Sequence, residues 1–514
     1  MLTKYTDAWI SRFLYIQLGL GLIQMLLALL SVSVPLAVLD TRNATILAFV
    51  FSTVWVLIQK SEKPILIYAP LFLIWIAIQS VVFVVLDYLE FRVPAVDFSI
   101  FDWMIPSSRW SEWMSSPVIG GKSHFSIHST PILLLFIPFH NFFESPYFLL
   151  TLHALVISLG IAIIYFLSLK FIASKERALF FALACFYSAS IGKLLMYHFH
   201  IEVFYLPFIA GLLFVLHSDK KWAFWMFLLA VLSVREDAGL ILAFMLLGVL
   251  MQKEFRKERL PEFIGALCLS LIVFVLQIKW IIPSFQTEES MGRLAGGIKY
   301  GSTFGEIVWS MMSHPLDVLK DLWSAGWWGH VGKFLFSFVL NPISFFGAFP
   351  TILITSVSRN PAMHAMAVYY SVPMFAFLVY GALNPKLLVR SNLLVLGVSF
   401  VLLSVGGGTL RFPVRTDLST SYKVLESKLD FEKTVCTQGG IFPHLPYHLE
   451  SRAILLRPGF QEFEKCDQII LSTFVSGYPY EASDLKSLIE LLKNNSDFVS
   501  AKFGEFELIS RMIQ

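Results

Sequence analysis

Two carboxylates lie close together in the first long polar segment of the chain. Asp97 and Asp102 are flanked by apolar residues in the stretch 96–103. A carboxylate in a poorly hydrated site can have a raised pKa, as a general acid or base requires. A spacing of five residues does not place both on one face of a helix. They are candidates for proton transfer, and the alternative is a capping aspartate on an interfacial helix.

Two histidines follow in the same segment, at a spacing of four residues. His124 and His128 would share one face of a helix, which suits a metal ion or a phosphate. Pro131 favours an extended backbone before it, and a third ligand is not evident nearby. Interfacial histidines are also common as amphipathic residues. A divalent metal is therefore one option, and the sequence requires no cofactor.

A second polar group lies where apolar runs meet. His200 and Glu202 separate two such runs, and the triplet Arg235, Glu236 and Asp237 follows the next one. Charges at the end of a membrane segment are costly unless they pair or face a wet cavity. The run before the triplet, 222–234, is too short to span a bilayer. This position favours a functional site over an ordinary turn in which Arg235 neutralises one acid.

The composition indicates a membrane protein. Of 514 residues, 56% are hydrophobic and 15% are charged, against roughly 45–50% and about 25% in soluble domains. The mean hydropathy is +0.70. A soluble enzyme is excluded for most of the chain, and a net charge of +3 gives no support for nucleic-acid binding. The sequence also lacks a Walker loop, G-x-G-x-x-G, C-x-x-C and H-E-x-x-H.

The apolar runs predict an all-α polytopic membrane domain over residues 1–405, with about 11–13 transmembrane helices. The first run has no small-residue cleavage site after it and is predicted to be retained. Two long polar loops, 88–130 and 284–330, interrupt the pattern. The apolar runs are 13–39, 44–59, 64–87, 131–139, 146–172, 177–196, 201–217, 222–234, 238–252, 262–283, 331–357, 365–383 and 386–405.

The lysines and arginines of the short loops predict the orientation in a cytoplasmic (inner) membrane. With these loops in the cytoplasm, four segments lie outside: 88–145, 284–330 and the turns at 198–202 and 235–237. These segments hold nearly all of the candidate site residues. The sequence therefore predicts a wet, polar site at the extracytoplasmic face.

The run 331–357 admits two topologies. Asn341-Pro342 and Pro350 interrupt it, so it forms either one kinked span or a hairpin of two shorter helices. The hairpin places Lys386 and Arg390 inside and the C-terminal tail outside. We prefer the hairpin because more basic residues are then cytoplasmic.

The tail, residues 411–514, has the composition of a soluble domain, with 26 charged residues in 104. It predicts a small, extracytoplasmic α/β domain in which Ser483 and Asp484 are candidate helix caps. Cys436 and Cys466 can pair if the tail lies outside the cytoplasm, although their spacing alone does not establish a disulfide. The predicted elements are strands 434–436, 453–456, 468–472, 498–503 and 506–510 and a helix over 482–494.

Taken in chain order, these segments resemble the membrane-protein family called domain of unknown function 2079. The resemblance covers about 90–514, and each motif is weak by itself while the ordered set is specific. Ile201 replaces a proline of the family pattern and Arg235 replaces a lysine. The matching segments are 97–102 (D-L-G-I-F-D in the family), 124–131 (H-F-S-P), 200–202 (F-H-P-E), 235–238 (K-E-D-A), His364 with Tyr370 and Pro373 (H-Y…P), 442–445 (P-H-L) and 466–469 (A-D-Y-V).

Members of that family resemble glycosyltransferases of the GT-C fold class, which use lipid-phosphate-linked sugars. The resemblance implies that Asp97 is the catalytic base, with Asp102 as the second candidate. It implies membrane lipids and a polyprenyl-phosphate sugar donor as partners. A transporter or flippase is the main alternative, although no paired inverted repeat is evident, and an assembly scaffold is a third. The expected substrate-binding residues are His124, His128, His200, Glu202, Arg235, Glu236, Asp237, His364 and Tyr370.

Overall fold

The fold is described from a computed structural model. Long apolar helices make up most of it, and a small α/β domain lies at the C-terminal end. The structure describes residues 2–30, 40–59, 68–93, 95–107, 113–286, 297–301, 303–367, 369–384, 391–406, 412–413, 416–456, 463–476 and 480–512.

The apolar runs form helices that pack side by side. Four described helices are long and apolar enough to cross a membrane: α1, α3, α6 and α12 with its continuation to Phe285. The pair α7–α8, bent by 49°, makes a fifth candidate, and seven shorter apolar helices accompany them. The described residues therefore confirm a helical membrane domain, with four or five helices long enough to span against the 11–13 expected. The first thirteen helices are α1 Leu2–Leu29, α2 Thr41–Gln59, α3 Ala69–Leu89, α4 Ala95–Ser107, α5 Ile137–Phe143, α6 Pro146–Ser168, α7 Lys175–Phe186, α8 Ala189–Met196, α9 Tyr205–Val215, α10 Lys221–Leu232, α11 Ala238–Leu250, α12 Lys253–Leu276 and α13 Ile282–Phe285.

The polar loop predicted at 88–130 is partly helical, because its apolar stretch forms α4. The run 131–139 does not span. It forms a 3₁₀ segment, Pro131–Leu135, followed by the short helix α5. The remaining helices are α14 Phe304–Ser313, α15 Pro315–Ser324, α16 Trp327–Lys333, α17 Pro342–Ser356, α18 Pro361–His364, α19 Val372–Leu383, α20 Ser391–Gly406, α21 Leu418–Glu426 and α22 Ala482–Lys493.

The run 331–357 changes direction at Asn341, so it does not form one kinked span across the membrane. The Asn341 amide donates to the carbonyl of Asn384 at 2.7 Å, and its Oδ1 accepts from the Gln252 amide at 3.3 Å. The same oxygen caps α17 by accepting from the backbone N–H of Ile343. Asn341 therefore lies beside the α11–α12 turn, and α17 returns from there toward the other end of the helices.

The tail forms a five-stranded sheet in the order β4-β3-β5-β7-β6. The first three of these strands are parallel, and β7 is antiparallel to both β5 and β6. A disulfide joins Cys436 on β3 to Cys466. Helix α22 packs on β6 and begins after Glu481, so Ser483 and Asp484 lie inside its first turn and do not cap it. The strands are β1 Ser115–Ser116, β2 Lys122–Ser123, β3 Val435–Thr437, β4 Ala453–Leu455, β5 Gln468–Leu471, β6 Phe498–Phe503 and β7 Phe506–Arg511.

Candidate active site

Asp97 lies in the first turn of α4, where its carboxylate meets the end of another helix. Its Oδ2 accepts a hydrogen bond from the hydroxyl of Tyr197 at 2.5 Å. Tyr197 is the residue that ends α8, so the bent pair α7–α8 delivers this hydroxyl to α4. The contact holds one carboxylate oxygen, and Asp97 remains partly exposed.

An imidazole lies between this carboxylate and the charged residues beyond it. The ring of His200 stacks on Tyr369, with centroids 3.6 Å apart, and its Nδ1 donates to Glu202. Tyr369 in turn donates to the Tyr370 hydroxyl at 3.1 Å. The negative charges of Asp97 and Glu202 both raise the pKa of Tyr369, after burial as the main cause. The carboxylates of Asp97 and Glu202 therefore both lie near the ring of Tyr369.

Arg235 joins the turn between α10 and α11 to the start of α9. Its Nε donates to Asp237 Oδ1 at 3.0 Å, and its terminal nitrogens donate to Asp237 and Glu202. Tyr205 also donates to Asp237, at 2.5 Å. Burial would lower the pKa of Arg235, but the charges of Asp237 and Glu202 raise it well above its usual range. One guanidinium thus balances two carboxylates, which leaves the trio with a net negative charge.

This trio borders a small cavity of about 20 Å³, which is room for about one water molecule. Carboxylates and hydroxyls supply most of its polar lining, and these groups suit hydrogen bonds to the hydroxyls or the ammonium of a ligand. The net negative charge disfavours a phosphate there. The lining residues are Glu202, Arg235, Asp237, Thr351, Ile354, Thr355, Met363, Tyr370 and Pro373.

The two histidines of the first polar segment have different surroundings. His128 Nδ1 donates to Glu236 at 2.8 Å, and the backbone N–H of Ser129 donates to the other Glu236 oxygen at 3.0 Å. Burial, and then the neighbouring His128, lower the pKa of His124 to about 3, so its ring is neutral. Nε2 of His124 makes no hydrogen bond within the described part of the chain.

Among the described residues, the fold places no third metal ligand together with His124 and His128. His124–Ser126 is a single 3₁₀ turn and Pro131 begins another, so no regular helix contains both histidines, although their rings lie 5.8 Å apart. Across the described ranges, no group of three or more His, Cys, Asp or Glu side chains is arranged to hold a metal ion.

Asp102 does not reach this site. It is buried on another side of α4, where it accepts from the Tyr447 hydroxyl at 2.7 Å and lies 3.4 Å from His140 Nε2. Burial raises the pKa of Asp102, against the opposing effect of His140 and Tyr447. Five residues correspond to about 140° around a helix. Asp102 therefore contacts the tail while Asp97 contacts Tyr197.

His364 also lies outside the cavity lining. Its Nδ1 donates to the carbonyl of Ser356 at 2.8 Å, and its Nε2 is 3.3 Å from the Ser324 hydroxyl. The neighbouring Met363 and the nearby Tyr370 line the cavity instead. The fold gives His364 a role in holding α18 against α15 and α17.

Three tyrosines of the site were not predicted from the sequence: Tyr197, Tyr205 and Tyr369. Each lies within three residues of a predicted site residue, and this proximity was the available signal. Thr351 and Thr355 lie in the middle of an apolar run and carried no such signal. The structure brings together Asp97, His124, His128, His200, Glu202, Arg235, Glu236, Asp237 and Tyr370, through direct contacts or through shared neighbours.

The segments that build this site coincide with a known family. A family model described as a predicted membrane protein, DUF2079, matches residues 87–385, more than half of the chain. The chain belongs to this family. The DUF2079 match begins at the end of α3 and stops before α20 and the tail, so it contains all of the site residues named above.

One solved structure is similar to this DUF2079 protein over most of its length. It is the crystal structure of ArnT from Cupriavidus metallidurans bound to undecaprenyl phosphate. The two chains share 11% identity with a TM-score of 0.49, over 86% of this chain and 98% of that chain. No curated protein sequence matches the chain.

Proposed function

We propose that this protein is a membrane glycosyltransferase of GT-C type. It transfers a sugar from a polyprenyl-phosphate donor to an acceptor hydroxyl at the extracytoplasmic face of the cytoplasmic membrane. The observation that carries the proposal is the position of Asp97, a partly exposed carboxylate held by Tyr197. The Tyr197 ring packs on Tyr369, whose hydroxyl meets that of the cavity-lining Tyr370. A base next to a site for polar groups, at the end of membrane helices, suits a substrate with a polar head and a lipid tail.

The proposed reaction is a displacement at the anomeric carbon of the donor, with Asp97 as the base. The acceptor oxygen attacks the anomeric carbon of the donor, and its proton passes to the free oxygen of Asp97. The bond between the anomeric carbon and the phosphate oxygen breaks, and the polyprenyl phosphate leaves with the electron pair. Tyr197 holds the other Asp97 oxygen at 2.5 Å, which orients the carboxylate for this proton transfer.

The two parts of the donor fit different parts of the site. The small cavity beside Glu202, Arg235 and Asp237 suits one sugar hydroxyl, because its carboxylates accept hydrogen bonds and its net charge repels phosphate. The Nε2 of His124 and the partly exposed His128 supply hydrogen-bond donors for phosphate oxygens. Developing negative charge on the leaving phosphate is stabilised by donors of this kind.

The disulfide supports an extracytoplasmic site. Disulfides persist in oxidising compartments and are rare in the cytosol. The tail that contains Cys436–Cys466 contacts α4 through Tyr447 and Asp102, at the end of the helices where Asp97 lies. The tail and the site therefore face the same side of the membrane.

The test uses the full chain in lipid nanodiscs and a polyprenyl phosphate linked to a radiolabelled sugar, with a membrane extract as the source of acceptor. We expect release of polyprenyl phosphate, and we expect Asp97→Asn to lower its rate by about 10²–10⁴-fold, the usual contribution of a positioned base. Asparagine keeps the acceptor for Tyr197, so the variant should fold normally.

The matched control is Asp484→Asn, the same chemical change on an exposed position of α22. It should leave the rate unchanged. Equal activity of Asp97→Asn and the unaltered protein would reject Asp97 as the base. Movement of a solute or lipid across proteoliposomes without a covalent product would instead support the transporter alternative, in which the buried charges of Glu202 and Arg235 line a pathway.

A further inference from the structure

Helices α14 and α15, which we call the amphipathic pair, expose an unusually apolar face. The two helices follow each other directly, separated by His314. Their large apolar side chains recur at spacings of three and four residues, which places those of each helix along one face. The exposed fractions are 72% for Trp309, 71% for Met312, 78% for Leu316, 59% for Leu319 and 75% for Trp323.

The opposite side of the amphipathic pair is attached to the rest of the protein. Asp321 accepts hydrogen bonds from Lys299 at 2.7 Å and from the Tyr300 hydroxyl at 2.8 Å. Val318 is buried, and α15 packs on α17. The apolar face is therefore held outward by contacts on the other side of α15.

This face lies at the same end of the molecule as the site, and the continuation of α12 ends there too. Gln286 donates to the carbonyl of Ser126, and Phe285 packs on Phe125 in the first polar segment, so α12 ends at the site side. Trp280, near that end, is 62% exposed. Tryptophans concentrate where a bilayer meets water. Trp280 is therefore an exposed tryptophan of a spanning helix at the same end of the molecule as Trp309 and Trp323.

We propose that the amphipathic pair lies in the boundary between headgroups and acyl chains of the leaflet on the site side, with the bilayer itself as its partner. Helices with one apolar face and one polar face bury the apolar face to this depth. The pair carries Glu306, Asp317 and Asp321 against Lys320. Because these charges are mainly acidic, apolar insertion holds the pair in place, and anionic lipids are not required.

The amphipathic pair is connected to the residues that line the cavity. The Ser324 hydroxyl at the end of α15 meets His364 Nε2 at 3.3 Å, and the backbone N–H of Gly326 donates to the His364 carbonyl at 2.8 Å. The adjacent Met363 lines the cavity. If the proposed function holds, this wall lies at the lipid surface, and a lipid-linked donor enters the cavity sideways from the leaflet.

The experiment measures the depth of the pair without using activity. Spin labels are attached to Met312→Cys and Leu319→Cys in a Cys268→Ser background, since Cys185 is buried and Cys436 is disulfide-bonded. The full chain is reconstituted in nanodiscs of neutral phosphatidylcholine. We expect both labels to collide more often with oxygen, which concentrates in acyl chains, than with a water-soluble nickel complex.

The reference label is Asp317→Cys, which is exposed on another side of α15. There the preference should reverse. Nickel collisions at Met312→Cys and Leu319→Cys equal to those at the reference would place the pair in water and overturn the proposal. Protection from both reagents would also overturn it, since a protein partner or a second copy would then cover the face. Loss of the transfer reaction leaves these labels informative, so the two proposals fail separately.

Discussion

The cavity and the tail interface both contain buried polar side chains, but those of the cavity are charged and the histidine of the tail interface is neutral. In the cavity, Arg235 balances two carboxylates, and a net negative charge faces empty space. In the tail interface, the His444 ring stacks between Phe91 at 3.7 Å and Tyr88 at 4.2 Å. Burial lowers the pKa of His444 to about 3, so it is neutral.

Helix α4 belongs to both regions and shows what separates them. Within the described part of the chain Asp97 accepts a hydrogen bond from one hydroxyl and stays partly exposed, whereas Asp102 is completely buried between Tyr447 and His140. The buried contacts of Asp102 Oδ1 hold the tail against α4, although Asp102 Oδ2 makes no hydrogen bond within the described residues. A partly exposed carboxylate leaves lone pairs available to a ligand. The difference indicates that Asp102 positions the tail against α4 and that Asp97 is available for chemistry.

Removal of the central cation should have the largest effect. Arg235→Met leaves Glu202 and Asp237 without their shared partner in a buried position, which typically costs about 3–5 kcal/mol in the free energy of unfolding. We expect a clear fall in the Tm of the purified protein. Arg452→Met is the matched control, because its partner Glu432 is exposed and such pairs contribute about 0–1 kcal/mol. Equal Tm shifts would contradict the contrast between a buried charged cluster and the surface.

Two tyrosine variants should distinguish the tail interface from the Asp97 site, because one should mainly change stability and the other mainly the transfer rate. Tyr447→Phe leaves buried Asp102 with only the 3.4 Å contact to His140 and should destabilise the protein by about 1–3 kcal/mol with little change in transfer rate. Tyr197→Phe should lower the rate about tenfold or more, with a smaller change in Tm, because Asp97 is accessible to water. A transfer rate that depends on Tyr447 more than on Tyr197 would show that the tail takes part in the reaction.

The smallest effect is expected from pH at the His128–Glu236 pair. Desolvation alone would lower the pKa of His128, but the charge and hydrogen bond of Glu236 raise it, and His128 in turn lowers the pKa of Glu236 against desolvation. The His128 contribution is complete below its usual pKa of about 6.5 and is lost as pH rises through the raised value. The Glu236 contribution is complete above about 4.5 and is lost as pH falls through the lowered value.

The measurement compares the Tm of His128→Gln with that of the unaltered protein across pH. The difference should be greatest between about pH 4.5 and 6.5 and should shrink at alkaline pH. The His128 side chain is 41% exposed, so we expect at most about 1 kcal/mol. A difference that grows toward alkaline pH would contradict the ion pair.

Local patterns predicted the elements of the fold well. Alternating apolar residues and turn residues predicted all five strands of the tail to within about one residue at each end. The apolar runs predicted the helices, although α19 begins at Val372 and not at 365. Such patterns depend on residues that are near each other in the chain, and these are the interactions that set helical and strand periodicity.

The sequence predicted many of the residues of the site but not the contacts between them. Scarce charges in a membrane protein are costly, which is why Glu202 and Arg235 were identifiable before their contact was known. Their pairing across two turns was not, and neither was the contact of Tyr197 with Asp97, because these residues are 33 and 100 positions apart. The prediction that Asp102 and His364 share the site rested on the family resemblance. The spacing of five residues already separated Asp102 from Asp97 around a helix, but it could not show what each side chain contacts.

The sequence by itself determined that this protein lies in a membrane and that its tail forms a small α/β fold, and it predicted candidate side chains for chemistry. These follow from composition and from short-range periodicity, which express the cost of exposing apolar surface and burying charge. Only the tertiary structure decided which face of α4 meets the cavity, that the run 331–357 turns at Asn341, and that Arg235 holds two acids at once. Those features depend on how distant helices pack, and many packings are compatible with the same local pattern.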